Sequence, residues 1–347
     1  MVAACLLDRL LGDPRGCLHP VQVMGGAISA LRRLSEQWAA DRPWALRLGG
    51  AGITMAVVGV SGLAGWGVER LAWASPPLGL PLLLLGLASA LAGRSLEQAV
   101  REVLLALPGA PDPSLEIARQ RLSWIVGRDV HDLDPPEILR ALAETASENA
   151  VDGLFAPLFW MLAGAALWCL WPPLLPGPLA LAWMFKAAST LDSMLGYRRG
   201  RLRWLGTAGA RLDDALTWLP CRLVALSLPL LGSPPRPAGS GPGAGCRPGP
   251  WSRFQRALRE GAADPSPNAG VSQAAYALAA GVRLGGVNRY GGEERAKPVL
   301  MNACPGADRA AVERILALSR RLELAWLLAA LPLLLAAATF SGRATGG

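Results

Sequence analysis

The sequence is poor in charged residues. They make up 17% of the 347 residues, against about 25% in ordinary soluble domains. Hydrophobic residues make up 52%, and the mean hydropathy is +0.31. This composition excludes a disordered chain, which is polar and highly charged. It also argues against a soluble two-domain enzyme, which the length alone would suggest.

Lysine and histidine are nearly absent. The chain has two histidines, and its only lysines are Lys186 and Lys297, so 32 of the 34 basic residues are arginine. The net charge is +8, but the arginines are scattered, and we therefore predict no nucleic-acid partner. The six cysteines form no CxxC pair and no cluster with histidine. That pattern argues against a zinc site.

Several standard catalytic signatures are also missing. The sequence contains no GxxxxGK[ST], no HExxH and no GxSxG, which argues against a P-loop, a zinc protease helix and a hydrolase nucleophile elbow. If a nucleotide binds, it binds without a standard signature. No basic residue precedes Asp8, so we predict no cleavable signal peptide.

Long uncharged runs are the main feature that the sequence does have. About 20 apolar residues span a bilayer as a helix. The runs are 48–68, 71–93, 153–185, 215–232 and 324–342. They predict an all-α, polytopic integral membrane protein with about four to six membrane helices. The lipid bilayer is thus an expected partner, and the cytoplasmic (inner) membrane is the expected location.

Four of these runs call for a specific interpretation. Only Glu69 and Arg70 separate the first two runs, which predicts a tight helical hairpin at that pair. The run 153–185 is too long for one span, and its prolines predict two shorter segments. The run 215–232 contains Arg222. It is either a span with an arginine reaching to the interface or, as we favour, a segment that dips into the membrane without crossing.

The polar stretches between the runs are 13–47, 94–152, 186–214 and 233–323. One reaction needs one site, and arginines are dense in 186–214, so we expect these stretches to meet at the cytoplasmic face. Residues 233–250 hold six Pro and five Gly. We predict a flexible loop there without a fold of its own.

A helix bearing three carboxylates is predicted in the second polar stretch. Pro135-Pro136 can open a helix that Asp134 caps. Glu144, Glu148 and Asp152 then stand at i, i+4 and i+8 on one face, where like charges repel. The face is either solvated or holds a cation. A Mg²⁺ ion, with Asn149 as a further oxygen ligand, would fit.

The stretch 186–214 interleaves acids with arginines. Lys186 directly follows an apolar run, Asp192-Ser193 and Asp213-Asp214 supply oxygen ligands, and Arg198 lies between them. Carboxylates beside arginines suit a site for metal plus phosphate. A cytoplasmic loop obeying the positive-inside rule explains the arginines equally well, but not the two separate Asp groups.

Two further segments are candidates on weaker grounds. SPNAG at 266–270 predicts a turn, followed by a helix over 271–281 whose N-terminal amides could face an anion. Gly285-Gly286 allows a close backbone approach. A generic loop–helix–loop is the alternative there. In the N-terminal stretch, His19 before a proline is more often structural than catalytic.

Four long collinear stretches resemble the CobD/CbiB family of cobalamin biosynthesis. They are LLDRLLGDPRGCLHPVQVMGGAI, VGRDVHDLDPPEILRALAETASENAVDGLFAPLFW, FKAASTLDSMLGYRRGRLRWLGTAGARLDDALTWLPCRL and SPNAGVSQAAYALAAGVRLGGVNRYGGE. The resemblance covers nearly the whole chain as a single membrane domain, 1–347, apart from 233–250 and the C-terminal end. One departure is Asp264, which stands where the family often has a basic residue or histidine.

The resemblance implies an integral-membrane adenosylcobinamide-phosphate synthase. Such an enzyme joins the free propionate of adenosylcobyric acid to (R)-1-amino-2-propanol O-phosphate, or to aminopropanol, with ATP and an expected Mg²⁺. The corrinoid is then a substrate, not a cofactor. A membrane component that binds or transports corrinoids is the alternative. An added role as a membrane anchor for other cobalamin-pathway enzymes also stays open.

Residue chemistry assigns hypothetical roles for this reaction. The catalytic candidates are Glu144, Glu148, Asp152, Lys186 and Asp192. The Mg²⁺ candidates are Glu144, Glu148, Asp152, Asp213 and Asp214, and the phosphate-facing cations are Lys186, Arg198 and Arg283. Further candidates for substrate or nucleotide binding are Asp13, His19, Arg128, Asp129, Asn149, Ser193, Tyr197, Ser266, Asn268, Gly270, Gly285, Gly286 and Tyr290.

Overall fold

A computed structural model describes residues 1–12, 19–110, 113–170, 175–232 and 249–344. Most of the predicted loop 233–250 and Asp13 lie outside these residues. The predicted all-α polytopic fold is confirmed, with one β-hairpin that the sequence analysis did not predict. The elements are α1 Val2–Leu11, α2 Pro20–Ala39, α3 Pro43–Ala74, α4 Pro76–Ser89, α5 Gly93–Leu104, α6 Leu115–Ser123, α7 Pro135–Ala150, α8 Ala156–Leu170, α9 Pro178–Leu195, α10 Leu202–Leu205, α11 Thr207–Leu231, α12 Pro250–Gly261, α13 Ala269–Ala280, β1 Leu284–Tyr290, β2 Glu293–Leu300 and α14 Arg309–Ala344.

Four helical segments within the described residues are long and apolar enough to cross a membrane. They are Pro43–Ala74, Pro76–Leu104, Pro135–Trp168 and Thr207–Leu231. The third joins α7 to α8 through a π-helical turn, Val151–Phe155. Side chains on these segments that would face lipid are apolar and exposed, as at Met55, Val60 and Leu63 on α3. The chain is therefore a multi-pass membrane protein.

The predicted hairpin at Glu69-Arg70 is wrong in position. Both residues lie inside α3, and the break comes at Ser75, before Pro76. The charge of Glu69 does not require a turn, because its buried carboxylate accepts hydrogen bonds from the first amides of α9. These come from the N–H groups of Gly177 (2.9 Å), Leu179 (2.6 Å) and Ala180 (3.1 Å). The Glu69 carboxylate thus caps the N-terminus of α9 and complements the dipole of that helix.

Glu69→Gln is expected to lower the stability of the folded protein by about 1.5–3 kcal/mol, the range for hydrogen bonds to charged groups. The neutral amide is a weaker acceptor and turns an NH₂ group toward the same donors. The thermal unfolding midpoint of the purified protein in detergent measures this. Glu36→Gln, which removes a partly exposed carboxylate from an i,i+4 pair with Arg32, is the control. Equal midpoints for the two variants would contradict the capping role.

The run 153–185 forms two helices, as predicted. α8 ends at Leu170, and α9 begins at Pro178 with Gly177 as its N-cap. Gly177 is required there, because a Cβ atom would lie 2.2 Å from the Trp168 ring. The prolines at 172 and 173 lie outside the described residues.

The segment 215–232 is not a short dip. It belongs to α11, a continuous helix of 25 residues that contains Pro220 and Pro229. Arg222 donates hydrogen bonds to the SPNAG turn, at Asn268 Oδ1 (2.6 Å) and Pro267 O (2.8 Å). The short length, one of the grounds for a dip, is wrong, because the helix is long enough to span a membrane. We still predict that this segment does not cross the membrane.

The chain divides into two compact units. The first unit comprises Met1–Arg94, Asp152–Thr217 and Leu327–Gly347, and the second comprises Ser95–Val151 and Trp218–Trp326. Each unit is assembled from separate parts of the sequence. Most membrane-length helical sequence belongs to the first unit, whereas the hairpin and the carboxylate helix α7 belong to the second.

The core of the first unit lies where α2, α3 and α9 meet. Ile28, Leu46, Ile53 and Leu191 are at most 3% exposed there. Gly50 lets α3 approach the chain at Leu205 so closely that a Cβ atom would lie 1.9 Å from the carbonyl oxygen. This packing fixes α9, the helix that bears Lys186 and Asp192.

The core of the second unit is built on α13, every residue of which is buried. The hairpin β1–β2 packs on α13 and α7, with Gly286 opposite Lys297 and a bulge between Leu284 and Gly286. Gly285 and Gly286 have φ of +85° and +111°, which favours glycine. A Cβ at Gly285 would lie 1.9 Å from Pro298 O. The predicted close backbone approach is confirmed.

Candidate active site

The carboxylate helix α7 begins where the sequence predicts. Asp134 Oδ1 accepts a hydrogen bond from the Glu137 N–H (2.8 Å), and Glu137 Oε2 accepts one from the Asp134 N–H (3.2 Å). This reciprocal capping box, with Pro135 at the first helical position, fixes the start of the helix. The fixed start determines which face carries Glu144 and Glu148.

Glu144 is buried and held by two arginines. Its Oε2 accepts a short hydrogen bond from Arg128, and its Oε1 accepts from Arg140 Nη1 (3.3 Å) and from the Gly285 N–H (2.8 Å). Glu144 is 1% exposed. The carboxylate therefore ties α7 to the segment before it and to strand β1, and its charge is already compensated.

Asn288 completes this cluster. Its Oδ1 accepts from Arg128 Nη1 (2.7 Å) and Arg140 Nη1 (3.0 Å). Arg140 also donates to the carbonyls of Gly285 (3.0 Å) and Val287 (2.9 Å). Asn288 Nδ2 is buried and has no hydrogen-bond partner among the described residues. A buried donor of this kind costs about 1–3 kcal/mol unless an acceptor reaches it.

Glu148 lies one turn further along α7 in a different setting. Its Oε2 accepts a hydrogen bond from Gln273 Nε2 of α13 at 2.8 Å. Its side chain is only partly buried. The neighbouring candidate Asn149 donates to Thr145 Oγ1 (3.0 Å) within the same helix. Glu148 thus differs from Glu144 in having an uncharged hydrogen-bond donor in place of arginines.

Lys297 of β2 faces acidic groups. Its Nζ lies 3.4 Å from Asp264 Oδ2. Burial lowers the pKa of Lys297, but the carboxylates of Glu148 and Asp264 outweigh that effect, so the pKa is raised. The side chain therefore stays an ammonium at neutral pH. Asp264, which departs from the family pattern, also accepts a hydrogen bond from the Ser266 N–H (2.9 Å).

The SPNAG turn is present, and two of its amides are already used within the turn. Helix α13 begins at Ala269, earlier than predicted. Ser266 Oγ accepts from the N–H groups of Asn268 (3.3 Å) and Ala269 (3.2 Å). Gly270 packs so tightly that a Cβ atom would lie 2.3 Å from Gly261 O. The turn is a packing element, held in place by Arg222.

Asp129 holds the hairpin turn. Its carboxylate accepts from the N–H groups of Gly292 (2.8 Å) and Gly291 (3.0 Å), and its own N–H donates to Arg289 O (2.8 Å). The two glycine amides keep the pKa of Asp129 below its usual range. Asp129 therefore anchors the turn of the β1–β2 hairpin. The next candidate along the strand, Tyr290, lies under the guanidinium of Arg295 at 5.8 Å.

Two adjoining cavities open on this cluster. The larger has a volume of about 460 Å³ and is lined by Arg140, Arg283, Gly285, Gly286 and Asn302, among others. The smaller, of about 360 Å³, includes Arg128, Asp129 and Asn288 in its lining. Glu137 and Val287 line both. The structure thus brings the predicted residues Arg283, Gly285 and Gly286 together at one cavity.

The remaining candidates lie in the first unit. His19 is the N-cap of α2, and its Nδ1 accepts from the Val21 N–H (3.3 Å), which confirms the structural interpretation. Lys186, Asp192 and Ser193 lie on α9. Tyr197 and Arg198 follow that helix, Asp213 and Asp214 lie on α11, and Asp152 lies in the π-helical turn.

One of the predicted magnesium ligands is already engaged by other side chains. Glu144 is paired with arginines, so the repulsion that suggested a cation there is absent. Asp152 follows Glu148 by four residues, in the π-helical turn. Within the described ranges, no three His, Cys, Asp or Glu side chains lie close enough to hold a metal ion. Mg²⁺ usually takes one or two carboxylates together with substrate phosphates, so magnesium binding stays a prediction.

The sequence analysis missed five residues of this cluster. They are Arg140, Asp264, Gln273, Asn288 and Lys297. Arg140 could have been found, since it stands four residues before Glu144 on a predicted helix, the spacing of a helical ion pair. Asn288 and Lys297 could not, because only the unpredicted hairpin brings them to α7.

Comparisons with known proteins match almost the whole sequence. The family described as CobD/Cbib protein matches residues 1–319. Cobalamin biosynthesis protein CobD of Synechocystis sp. is 40% identical over 96% of this chain and 90% of its own length. CobD of Citrobacter koseri and CbiB of Salmonella typhi are each 38% identical, over 96% of this chain and 94% of theirs. No solved structure matches. The chain therefore belongs to the CobD/CbiB family of cobalamin biosynthesis proteins.

Proposed function

We propose that the protein is an adenosylcobinamide-phosphate synthase of the cytoplasmic membrane. It would join the free propionate of adenosylcobyric acid to aminopropanol phosphate, or to aminopropanol, at the expense of ATP. Family membership supports a role in cobalamin biosynthesis. The larger cavity of the second unit is the observation that supports this specific reaction, beyond a general role in cobalamin biosynthesis.

The cavity is lined by two arginines and by two carboxylates, Asp134 and Glu137, which are hydrogen-bonded in the capping box of α7. Its arginines can hold a small anionic substrate. Its volume of about 460 Å³ falls in the usual range for ligand sites. Arg283 is exposed, and its guanidinium makes no hydrogen bond or ion pair within the described residues. Arg140 lines the same cavity, and Asn302 offers an amide. A phosphate would be held by arginine in the forked geometry that guanidinium provides.

The chemistry requires activation of a poor electrophile. A carboxylate oxygen attacks the terminal phosphorus of ATP, ADP leaves, and an acyl phosphate results. The amine nitrogen then attacks the acyl carbon, inorganic phosphate leaves, and one proton is released. The residues of this chain must bind phosphate, take up that proton and exclude water from the activated acyl group.

Glu148 is the proposed proton acceptor. Gln273 donates a neutral hydrogen bond that positions its carboxylate, and the ammonium of Lys297 interacts with it electrostatically without a direct ion pair. Glu144 is given a positioning role instead, since two arginines already use its charge. The first-unit candidates Lys186, Asp192, Arg198, Asp213 and Asp214 stay proposals for nucleotide binding. Magnesium is expected to bind between the nucleotide phosphates and one or two of these carboxylates.

Arg283→Gln is expected to raise the KM for aminopropanol phosphate about 10- to 100-fold, the effect of losing a charge-assisted contact of 1.5–3 kcal/mol. The kcat should change little if the contact only binds. The assay uses full-length protein in detergent with ATP, Mg²⁺ and both substrates, and follows the amide and ADP. Arg283→Lys should recover part of the affinity.

Arg259→Gln removes an exposed charge from α12 and is the matched control. A wild-type KM in Arg283→Gln would place the phosphate elsewhere. If wild-type protein binds the corrinoid but forms no amide and no ADP with either amine, the enzyme proposal is wrong. A binding or transport component would then be the better description.

A further inference from the structure

Arginines and tryptophans gather at one end of α3 in the first unit. We call this surface the collar. It consists of Trp38, Arg42, Trp44, Arg47, Arg203 and Trp204. The Trp38 and Trp44 rings pack edge to face, with centroids 6.3 Å apart. Both rings are 57% exposed, so this packing does not cover them.

The cations of the collar are stacked on rings rather than paired with acids. The Arg47 and Arg203 guanidinium carbons lie 4.5 and 5.0 Å from the Trp204 ring centroid. Neither arginine takes part in an ion pair among the described residues. The nearby carboxylate of Asp41 accepts a hydrogen bond from Arg201 at 2.7 Å. Two exposed positive charges are thus held at the same tryptophan ring, and neither is paired with an acidic side chain of the described residues.

The collar lies where a membrane-length helix begins. Trp44 and Arg47 are in the first turns of α3, a candidate span. Leu34 and Leu48 beside them are 62% and 59% exposed. The surface therefore offers apolar side chains, amphipathic rings and cations within a few residues. Tryptophan favours the headgroup level of a bilayer, and arginine favours phosphate.

The opposite end of α3 lacks this chemistry. It carries Trp66 and Trp73, but its acid, Glu69, is buried and caps α9. Arg70 is the one arginine in the last turns of α3. Tryptophans at both ends with clustered arginines at one end are the pattern that the positive-inside rule describes.

We propose that the collar binds the phosphate headgroup of an anionic phospholipid. The guanidinium groups of Arg47 and Arg203 contact the phosphate oxygens, while the exposed rings and leucines contact the glycerol and the upper acyl chains. A free phosphate would use only the cations, whereas the collar also exposes apolar side chains that a lipid alone can cover. The collar then marks the cytoplasmic side of the first unit.

The test measures lipid binding to the full-length protein. Native mass spectrometry of purified protein in a neutral detergent counts bound phosphatidylglycerol and gives an apparent Kd. Each basic residue near an anionic surface is worth about fivefold in affinity. Arg47→Gln together with Arg203→Gln should therefore weaken binding about 30-fold. The pair Arg47→Lys and Arg203→Lys should retain most of the affinity, and it also serves if the glutamine pair fails to fold.

The control pair is Arg259→Gln with Arg321→Gln, two exposed arginines of the second unit. It removes the same charge and should leave the Kd unchanged. Phosphatidylcholine should bind much more weakly than phosphatidylglycerol, and inorganic phosphate should not displace the lipid at millimolar concentration. Equal binding of phosphatidylcholine, displacement by phosphate, or the same loss in the control pair would each overturn the proposal.

Discussion

Glu144→Gln is expected to release the β1–β2 hairpin from α7 and to destabilise the second unit by about 3–5 kcal/mol. The reason is that Arg128 and Arg140 are both largely buried against this carboxylate, with 9% and 17% of their side chains exposed. A neutral amide leaves two buried guanidinium charges without a counter-charge. It also weakens the acceptor of the Gly285 N–H, the contact that joins the helix to the strand.

The unfolding midpoint in detergent and the rate of proteolysis at the hairpin turn would report this change. Glu116→Gln, an exposed carboxylate in the first turn of α6, is the control and should behave as wild type. The double variant Glu144→Gln with Arg140→Gln should lose less stability than the sum of the two single variants. The second substitution removes one of the two guanidinium charges that are left without a counter-charge. A Glu144→Gln protein with a normal midpoint and an intact hairpin would refute the positioning role.

Glu148→Gln is expected to leave the protein folded and to reduce kcat for amide formation by about 10²- to 10⁴-fold, the usual contribution of general acid–base catalysis. The glutamine oxygen can still accept the hydrogen bond from Gln273, so the packing of α7 on α13 is kept. What is lost is the negative charge that takes the proton from the attacking amine. The KM for each substrate should change little.

The split between kcat and KM separates this role from a structural one. If Glu148 is the proton acceptor, the folded variant should have a low kcat with a KM near wild type, whereas a protein that is merely less stable should give less folded protein with a normal kcat per folded molecule. Glu116→Gln again serves as the matched loss of a carboxylate. Full activity in Glu148→Gln, or a fall in expression with normal specific activity in the remainder, would exclude the catalytic role.

The two variants make the same chemical change on one helix, four residues apart, and should give opposite results. The sequence predicts the helix, its start and the shared face of the two carboxylates, because Asp134, Pro135 and the i, i+4 spacing are local signals. It does not predict the difference between them. That difference arises from their partners, Arg128 with the hairpin on one side and Gln273 on the other, which are 16 to 141 residues away in the chain.

In the membrane helices, too, the local sequence predicts the element, and distant residues decide how its charged side chains are paired. Uncharged runs reveal the spans because a bilayer excludes unpaired charge, and this rule needs no knowledge of neighbours. Glu69 and Arg222 break the rule only in appearance, since each is satisfied by a distant segment: Glu69 by the start of α9 and Arg222 by the SPNAG turn.

By itself, the sequence determined the membrane class, most helices, the family and part of the candidate site, since these depend on hydropathy, local capping and motif order. Only the tertiary structure decided that Glu144 is paired with two arginines, that the SPNAG turn packs against Gly261 and Arg222, and that Arg283 and the glycines 285–286 share a cavity. The physical reason is that the charge state and hydrogen bonding of a buried group depend on the groups around it. Long-range packing supplies those groups.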